Sequence, residues 1–220
     1  MDEIALSEIL GIGDESPGSP KARRRRDILQ AARDLIAERG GPSFTVAELA
    51  ERAGVSRRTV FNHFASVDDV ISEIALEEIA GLLDKIDFGF GDTTGIDDAA
   101  IVFGQLAAAF SVVDLPTVLF RIQQAMGGFD VAAPAVGARL SAAFLRVESD
   151  LSDFLAAAYP DIDPLDVRIA VMSLVHGLAV IAPEWAARHA DGLDDAARED
   201  WRRLLNHLIG QIAGGYERHI

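Results

Sequence analysis

The segment from residue 45 to residue 64, TVAELAERAGVSRRTVFNHF, limits what this chain can fold into more than any other segment. Thr45 and Glu48 have the spacing of a capping box, in which each side chain bonds to the other residue's backbone N–H at a helix start. Gly54 permits a tight turn, and Ser56 can cap a further helix. The segment therefore predicts a helix-turn-helix, an arrangement whose second helix fits the major groove of DNA.

The second predicted helix carries side chains of the types that contact base edges. Arginine pairs with guanine, asparagine with adenine, and a threonine methyl or an aromatic ring with the thymine methyl. The apolar residues expected to face inward and fix the angle between the helices are Val46, Leu49, Ala50 and Val55. The residues expected to contact DNA are Arg57, Arg58, Thr59, Asn62 and His63, together with Ser56. The alternative is that the arginine and asparagine side chains only solvate a helix face.

A run of four arginines lies near the start of an earlier predicted helix, which extends from residue 21 to residue 39 and ends at a Gly-Gly-Pro sequence. The run consists of Arg23, Arg24, Arg25 and Arg26. Cations near a helix N-terminus oppose the helix dipole and cost roughly 0.3–1 kcal/mol each, so local folding does not need them. A solvated face is one interpretation. Beside a helix-turn-helix, an arm that contacts phosphates or the minor groove is the better one.

The charge distribution agrees with this assignment. The net charge of −15 by itself argues against a DNA-binding protein. Residues 1–20, however, hold five acids and no base, residues 21–66 hold ten bases and five acids, and residues 67–220 hold ten bases and 25 acids. A basic segment on an acidic remainder is typical of a protein that presents one end to a polyanion.

The rest of the chain shows helical periodicity and no strand pattern. A fourth helix is expected from about residue 67, followed by five helices near 96–113, 115–127, 134–158, 164–189 and 194–218. The predicted fold is all-α with about nine helices. The predicted divisions are a flexible acidic tail over 1–20, a three-helix helix-turn-helix DNA-binding domain over 21–66, and a helical bundle for ligand binding and dimerisation over 67–220.

The last two predicted helices carry wide apolar surfaces. The helix near 164–189 is apolar on nearly every side, which predicts burial on both faces. The residues assigned to a dimer interface are Val171, Leu174, Leu178, Trp201, Leu205, Leu208 and Ile212. Pairing with a second copy in a four-helix interface is one interpretation, and closing a monomer core is the other.

Aromatic and methionine residues of the middle helices can line an apolar cavity suited to a hydrophobic or aromatic small molecule. The candidate ligand-binding residues are Phe103, Phe110, Phe120, Met126, Phe144, Met172 and His176. Ordinary core packing is the alternative for the aromatic and methionine residues, and a satisfied core or interface histidine is the alternative for His176.

Residues 21–70, and above all TVAELAERAGVSRRTVFNHFASVDDVI, resemble the tetracycline-repressor (TetR) family of bacterial regulators. The resemblance implies an all-helical homodimer that binds a palindromic operator through its first three helices and a small inducer through the remainder. It also implies that the positions commonly touching DNA are Thr45, Arg57, Thr59, Phe61, Asn62 and His63. Phe61 stands where the family more often has Tyr, and Val67 where it often has Lys, so groups that can contact a phosphate are missing at both positions.

Other function classes have little support in the residues. The chain has no cysteine, which excludes disulfides, thiolate metal sites and a cysteine nucleophile. The motifs of zinc proteases, serine hydrolases and P-loop proteins are missing, so no catalytic activity, metal or cofactor is predicted. Glu73, Glu77 and Glu78 are interpreted as an exposed acidic face. The alternatives are an architectural DNA-binding protein without base preference and an all-helical enzyme.

The start of the chain has no basic region followed by an apolar run, and no stretch of about 18 uninterrupted apolar residues appears, so neither a signal peptide nor a membrane span is expected. We therefore expect a bacterial cytoplasmic protein that associates with the nucleoid when it binds DNA.

Overall fold

The structure is a computed structural model that describes residues 19–86, 93–129 and 133–216. These residues contain nine α-helices and no β-strand. The first four helices are α1 (Pro20–Arg39), α2 (Val46–Arg52), α3 (Arg57–His63) and α4 (Val67–Leu83). The others are α5 (Ala99–Val112), α6 (Leu115–Met126), α7 (Pro134–Ala158), α8 (Pro164–Arg188) and α9 (Asp195–Tyr216). The predicted all-α fold is confirmed.

Short polar side chains determine where the first helices begin. Ser19 Oγ accepts a hydrogen bond from the Ala22 N–H at 3.0 Å, and Pro20 takes the first helical position, where its missing N–H costs nothing. α1 ends at Gly40, whose φ of 70° lies in the left-handed region that glycine adopts without strain. Ser66 and Asp69 form a capping box that starts α4.

The described residues divide into two compact units. The first comprises the described residues up to Asp84 together with those of Val118–Ala143. Its apolar core includes Ile28, Leu49, Val60 and Val70, one residue from each of α1 to α4, all at 2% exposure or less. This unit extends beyond the predicted DNA-binding domain, whose boundary at residue 66 stays a prediction.

The second unit comprises Lys85–Thr117 and Phe144–Ile220, and in it α5, α8 and α9 pack on one another. The buried Trp185 side chain donates from Nε1 to the Ala197 carbonyl at 2.8 Å. Its ring meets that of Trp201 edge to face, with 5.7 Å between the centroids. A Cβ on Gly177 would overlap the Leu208 side chain, so α8 and α9 approach closely where this residue has no side chain.

The residues that we assigned to a dimer interface do not form one surface. Val171, Leu174, Trp201 and Leu205 are buried in the core of the second unit, and Leu178, Leu208 and Ile212 are partly buried. Periodicity cannot distinguish these faces because α8 is apolar on nearly every side. The structure supports the alternative interpretation for Val171 and Leu174. These two residues close a core within the chain.

A different face of α8 is exposed. Leu165, Ile169, Met172 and Val180 recur at helical spacing and are between 36% and 68% exposed. We call these four residues the apolar stripe. By length and composition α8 could also cross a membrane. Its opposite face, which includes Val167 and Leu174, is buried inside the second unit.

Candidate DNA-binding surface

The first helix of the helix-turn-helix, α2, is fixed by its capping box and by one arginine. Thr45 Oγ1 accepts from the Glu48 N–H at 3.3 Å, and Glu48 Oε2 accepts from the Thr45 N–H at 2.8 Å. Arg39 Nη2 lies 2.7 Å from Glu48 Oε1, and this bond is the largest of the causes that lower the pKa of Glu48 to about 2. These contacts join the end of α1 to the start of α2.

The turn between α2 and α3 has the geometry that Gly54 predicts. Gly54 has a φ of 65°, and the Val55 N–H donates back to the Ala50 carbonyl at 2.9 Å. Ser56 Oγ then accepts from the Thr59 N–H at 3.0 Å and starts α3. The capping and turn chemistry of the sequence therefore positions the second helix.

One face of α3 is exposed and carries side chains that can contact bases. Arg57, Arg58, Phe61 and Asn62 are exposed, whereas Val60 is buried on the opposite face. Thr59 and His63 are partly buried, and Thr59 Oγ1 is 2.8 Å from Ser56 Oγ. Thr45 and Ser56 are exposed but act as helix caps. The eight residues that we assigned to DNA from this motif therefore form two groups. One group lies on the exposed face of α3, and the other consists of residues that cap helices or are partly buried at the border of that face.

The four arginines of the run do not share one environment. Arg23, Arg24 and Arg26 are exposed, whereas Arg25 is partly buried. Arg25 lies 2.6 Å from a Glu73 carboxylate oxygen and donates from Nη1 to the His63 carbonyl at 3.3 Å. Its guanidinium also lies 4.5 Å from the centroid of the Phe64 ring. The sequence interpretation that folding does not need the run therefore fails at Arg25, which joins α1 to α4 and to the end of α3.

The three glutamates of α4 are not the exposed acidic face that we expected from the sequence. Glu73 pairs with Arg25, Glu77 pairs with Arg33, and Glu78 Oε2 lies 3.3 Å from Arg121 Nη1. All three glutamates are partly buried. Their partners are at least 43 positions away in the sequence, so no local pattern predicts these pairs.

The remaining cations of the first unit separate into two groups. Arg52 is held 2.6 Å from Glu38, a contact that lowers the pKa of Glu38 and raises that of Arg52. Arg33 and Arg39 also have carboxylate partners. The arginines for which the described residues provide no such partner are Arg23, Arg24, Arg57 and Arg58. These four cations are available to a polyanion.

The residues that we assigned to ligand binding lie in different surroundings. Phe103 and Phe110 are buried on α5 in the second unit, while Met126 is buried and Phe120 partly buried on α6 in the first. Phe144, Met172 and His176 are exposed. The His176 side chain is 59% exposed, with Nδ1 3.1 Å from the Met172 carbonyl oxygen and 3.7 Å from Glu148, so it is not a core histidine.

A groove of about 300 Å³ lies between α7 and α8. Its walls are formed by Leu145, Glu148, Ser149, Ser152, Asp153 and Arg168. None of the seven candidate ligand residues is among them. Five of its six lining residues are polar, so this groove is not the apolar cavity that we predicted, and that cavity stays a prediction.

The described part of the chain is all-helical, and in it a tight turn is followed by a helix that exposes two arginines and an asparagine, which defines a helix-turn-helix DNA-binding protein. Its helix-turn-helix segment is similar to that of the TetR family of bacterial transcriptional regulators. A family model described as "Bacterial regulatory proteins, tetR family" matches residues 28–74, which include α2, the turn and α3.

Similarity extends beyond the matched segment. The chain is 27% identical over 185 residues to the HTH-type transcriptional repressor Rv3405c of Mycobacterium tuberculosis, covering 84% of this chain and 86% of that protein. Salmonella enterica GusR has a TM-score of 0.56 at 18% identity, over 90% of this chain and 98% of its own. The fatty acid degradation regulator FadR from Bacillus halodurans has a TM-score of 0.54 at 18% identity, over 91% of this chain and 98% of its own. The two structures support the fold.

Proposed function

We propose that the chain is a repressor that binds a palindromic operator as a homodimer, in the bacterial cytoplasm, with α3 of each protomer in the major groove. The observation that carries the proposal is the set of arginines without carboxylate partners. Arg57 and Arg58 are exposed on α3, beside the exposed Asn62. Arginine can bond to guanine with two hydrogen bonds and asparagine can do the same with adenine, which gives this face base preference.

The start of α1 supplies the second part of the proposed surface. Arg25 bonds to the His63 carbonyl, so the beginning of α1 lies beside the end of α3. Arg23 and Arg24, which precede it, are exposed and make no ion pair with the described residues. In the proposal these two residues contact phosphates or the minor groove and contribute affinity that is independent of sequence.

A binding experiment with four proteins tests this assignment. Arg57→Ala and Arg58→Ala are each expected to weaken binding to a duplex selected from a random library by about 1–3 kcal/mol. Binding to unrelated duplex should weaken less. Arg146→Ala is the matched control, since Arg146 is exposed on α7 and also has no ion-pair partner among the described residues.

An architectural protein without base preference is the competing outcome. In that case unrelated duplex competes for the wild-type protein as well as the selected one does. If Arg57→Ala and the Arg146→Ala control lost the same affinity for the selected duplex, the proposed role of α3 in base recognition would be wrong. Replacing Arg23 and Arg24 together should reduce the dependence of log affinity on log salt by about one for each phosphate that is no longer neutralised.

We place the dimer contact on the apolar stripe of α8. Four large apolar side chains at helical spacing on one exposed face are unusual for a monomer and typical of an interface. A dimer with a two-fold axis uses the same surface on both protomers, and a second copy of this chain provides the same stripe. Ile169→Asp is expected to convert the dimer to a monomer in analytical ultracentrifugation. Asp153→Ala, on the polar groove wall, should leave the mass unchanged, and a dimer that persists in Ile169→Asp would move the contact elsewhere.

The proposal includes release of the operator by a small hydrophobic or aromatic ligand. Phe103 and Phe110, two turns apart on α5, are the candidate residues that remain buried in the second unit. Ligands can be screened by the rise in Tm of the purified protein and then tested for weakening of operator binding. Compounds that raise Tm without weakening operator binding would contradict ligand-controlled release.

A further inference from the structure

Phe61 is an exposed apolar residue on an otherwise polar helix face. The residue is 54% exposed, whereas the neighbouring Val60 and Phe64 are 2% and 4% exposed. Among the described large apolar residues of the first unit, it alone is strongly exposed. Phe61 is neither one of the apolar core residues of the unit nor one of the partly buried residues packed against them, so core packing does not explain why a phenyl ring occupies this position.

Helical spacing locates the ring within the proposed DNA-binding face. At 3.6 residues per turn, Phe61 lies one turn after Arg57 and Arg58 and beside Asn62. These four residues share the exposed side of α3. Any surface that the arginines and the asparagine contact therefore also meets the phenyl ring.

The chemistry of the ring selects its partner. In the major groove, base edges present hydrogen-bond donors and acceptors and one apolar group, the C5 methyl of thymine. A phenyl ring has no donor or acceptor for phosphates, and burying it against a polar base edge would leave that edge without a hydrogen bond. Packing against a methyl group removes apolar surface from water at no such cost.

We propose that Phe61 is a specificity-determining residue that packs on the C5 methyl of one thymine in each operator half-site. This inference rests on the proposed function, since it requires α3 to lie in the major groove. The recognised thymine lies next to the bases contacted by Arg57, Arg58 and Asn62. An aromatic ring at this position thereby gives the operator a thymine requirement that the polar residues alone do not impose.

Replacement of thymine by deoxyuridine tests the proposal, because it removes the methyl group and keeps every hydrogen-bonding atom. The probe is the duplex that the wild-type protein selects from a random library, with each thymine replaced in turn at both symmetry-related positions. Burial of one methyl is worth about 0.8 kcal/mol, or about fourfold in affinity. At one thymine position we expect wild-type binding to weaken about fourfold per half-site, or roughly fifteenfold for both.

Three variants complete the experiment. Phe61→Ala is expected to bind the thymine and uridine duplexes with equal affinity, and Phe61→Tyr, which keeps the ring, should retain the preference. Arg58→Ala is the matched control: it should bind both duplexes more weakly while their ratio stays at the wild-type value. Far-ultraviolet circular dichroism and thermal melting establish that each variant is folded, as expected for substitutions of exposed side chains.

Two results would overturn the proposal. One is a wild-type protein whose affinity is the same for every uridine-containing duplex. The other is a thymine preference that persists in Phe61→Ala, which would assign it to DNA shape or to another side chain. Failure of the proposed function looks different, because the wild-type protein would then select no duplex from the library.

Discussion

The two units of the chain leave different groups exposed. In the first, large apolar side chains are mostly buried, and four arginines have no carboxylate partner among the described residues. In the second, large apolar side chains on α7 and α8 are exposed, among them Leu145 and Leu165 at more than 60%. Cations left without partners suit a polyanion, and apolar groups left in water suit another protein surface. The two units therefore differ in the kind of surface that they leave exposed.

Within each unit, side chains of the same type differ in role according to what they contact. Arg25 and Arg23 stand two positions apart in one run, and Leu174 and Met172 stand two positions apart on one helix. In each pair one residue has partners within the unit and the other is exposed. Substitutions of these matched pairs test whether the contrast between internal contacts and binding surface holds.

The largest effect is expected at Leu174, which has no exposed surface. Leu174→Ala should lower the free energy of unfolding by about 2–5 kcal/mol, because it removes buried methyl groups and leaves a cavity. Met172→Ala, on the apolar stripe, should lower the free energy of unfolding of one protomer much less. Urea unfolding measured in the Ile169→Asp background, in which the proposed dimer contact is removed, isolates these losses from dimerisation. Equal losses at the two positions would show that the stripe is buried within the chain.

The second comparison separates the arginines of the run. Arg25→Ala should lower the free energy of unfolding by about 1–2 kcal/mol, because the Glu73 side chain is only 15% exposed and loses its partner. This value lies between those for exposed and for buried ion pairs. Arg23→Ala should change stability by less than about 0.5 kcal/mol. In DNA binding measured against salt, Arg23→Ala should lower the slope. If Arg23→Ala destabilised the fold as much as Arg25→Ala, the division of the run would be wrong.

The sequence predicted the parts of this structure that depend on local chemistry. Thr45 with Glu48, Gly54 and Ser56 are close in sequence, and together they determine both helix starts and the turn between them. The exposed face of α3 follows from that register. The fold class and the helix-turn-helix could therefore be predicted from one sequence.

What the sequence could not predict depends on distant contacts. Arg25 and Glu73 are separated by almost 50 positions, and nothing in the arginine run distinguishes Arg25 from its neighbours until α4 is placed beside it. The buried side of α8 also depends on which helices pack against it. The row through Leu174 and the stripe through Ile169 are both apolar at helical spacing, so composition does not tell core from surface.

A smaller effect is expected at the cap of α2. Thr45→Ala removes the acceptor of the Glu48 N–H and should cost about 0.5–2 kcal/mol of unfolding free energy. Thr45→Ser keeps the hydroxyl and should restore most of the loss. Operator affinity measured well below the unfolding temperature distinguishes capping from DNA contact. A Thr45→Ser protein with full stability and weakened binding would indicate that the threonine methyl contacts DNA.

The smallest effect is expected at Glu48 and depends on pH. The hydrogen bond from Arg39, followed by those from Thr45, lowers the pKa of Glu48 to about 2, below the value near 4.3 of an unfolded chain. A carboxyl whose pKa is lowered on folding stabilises the fold above the unfolded pKa, and this contribution is lost as the pH falls toward 2.

Glu48→Gln isolates that contribution, since glutamine can still accept the Thr45 N–H in the capping box but cannot pair with Arg39 as an anion. The difference in unfolding free energy between wild type and Glu48→Gln should be constant above pH 5 and should shrink between pH 4.5 and pH 2. Because the pair is exposed, salt should reduce the difference as well. A difference that grows as the pH falls would reverse the assigned sign and would mean that Arg39 does not stabilise the ionised carboxylate of Glu48.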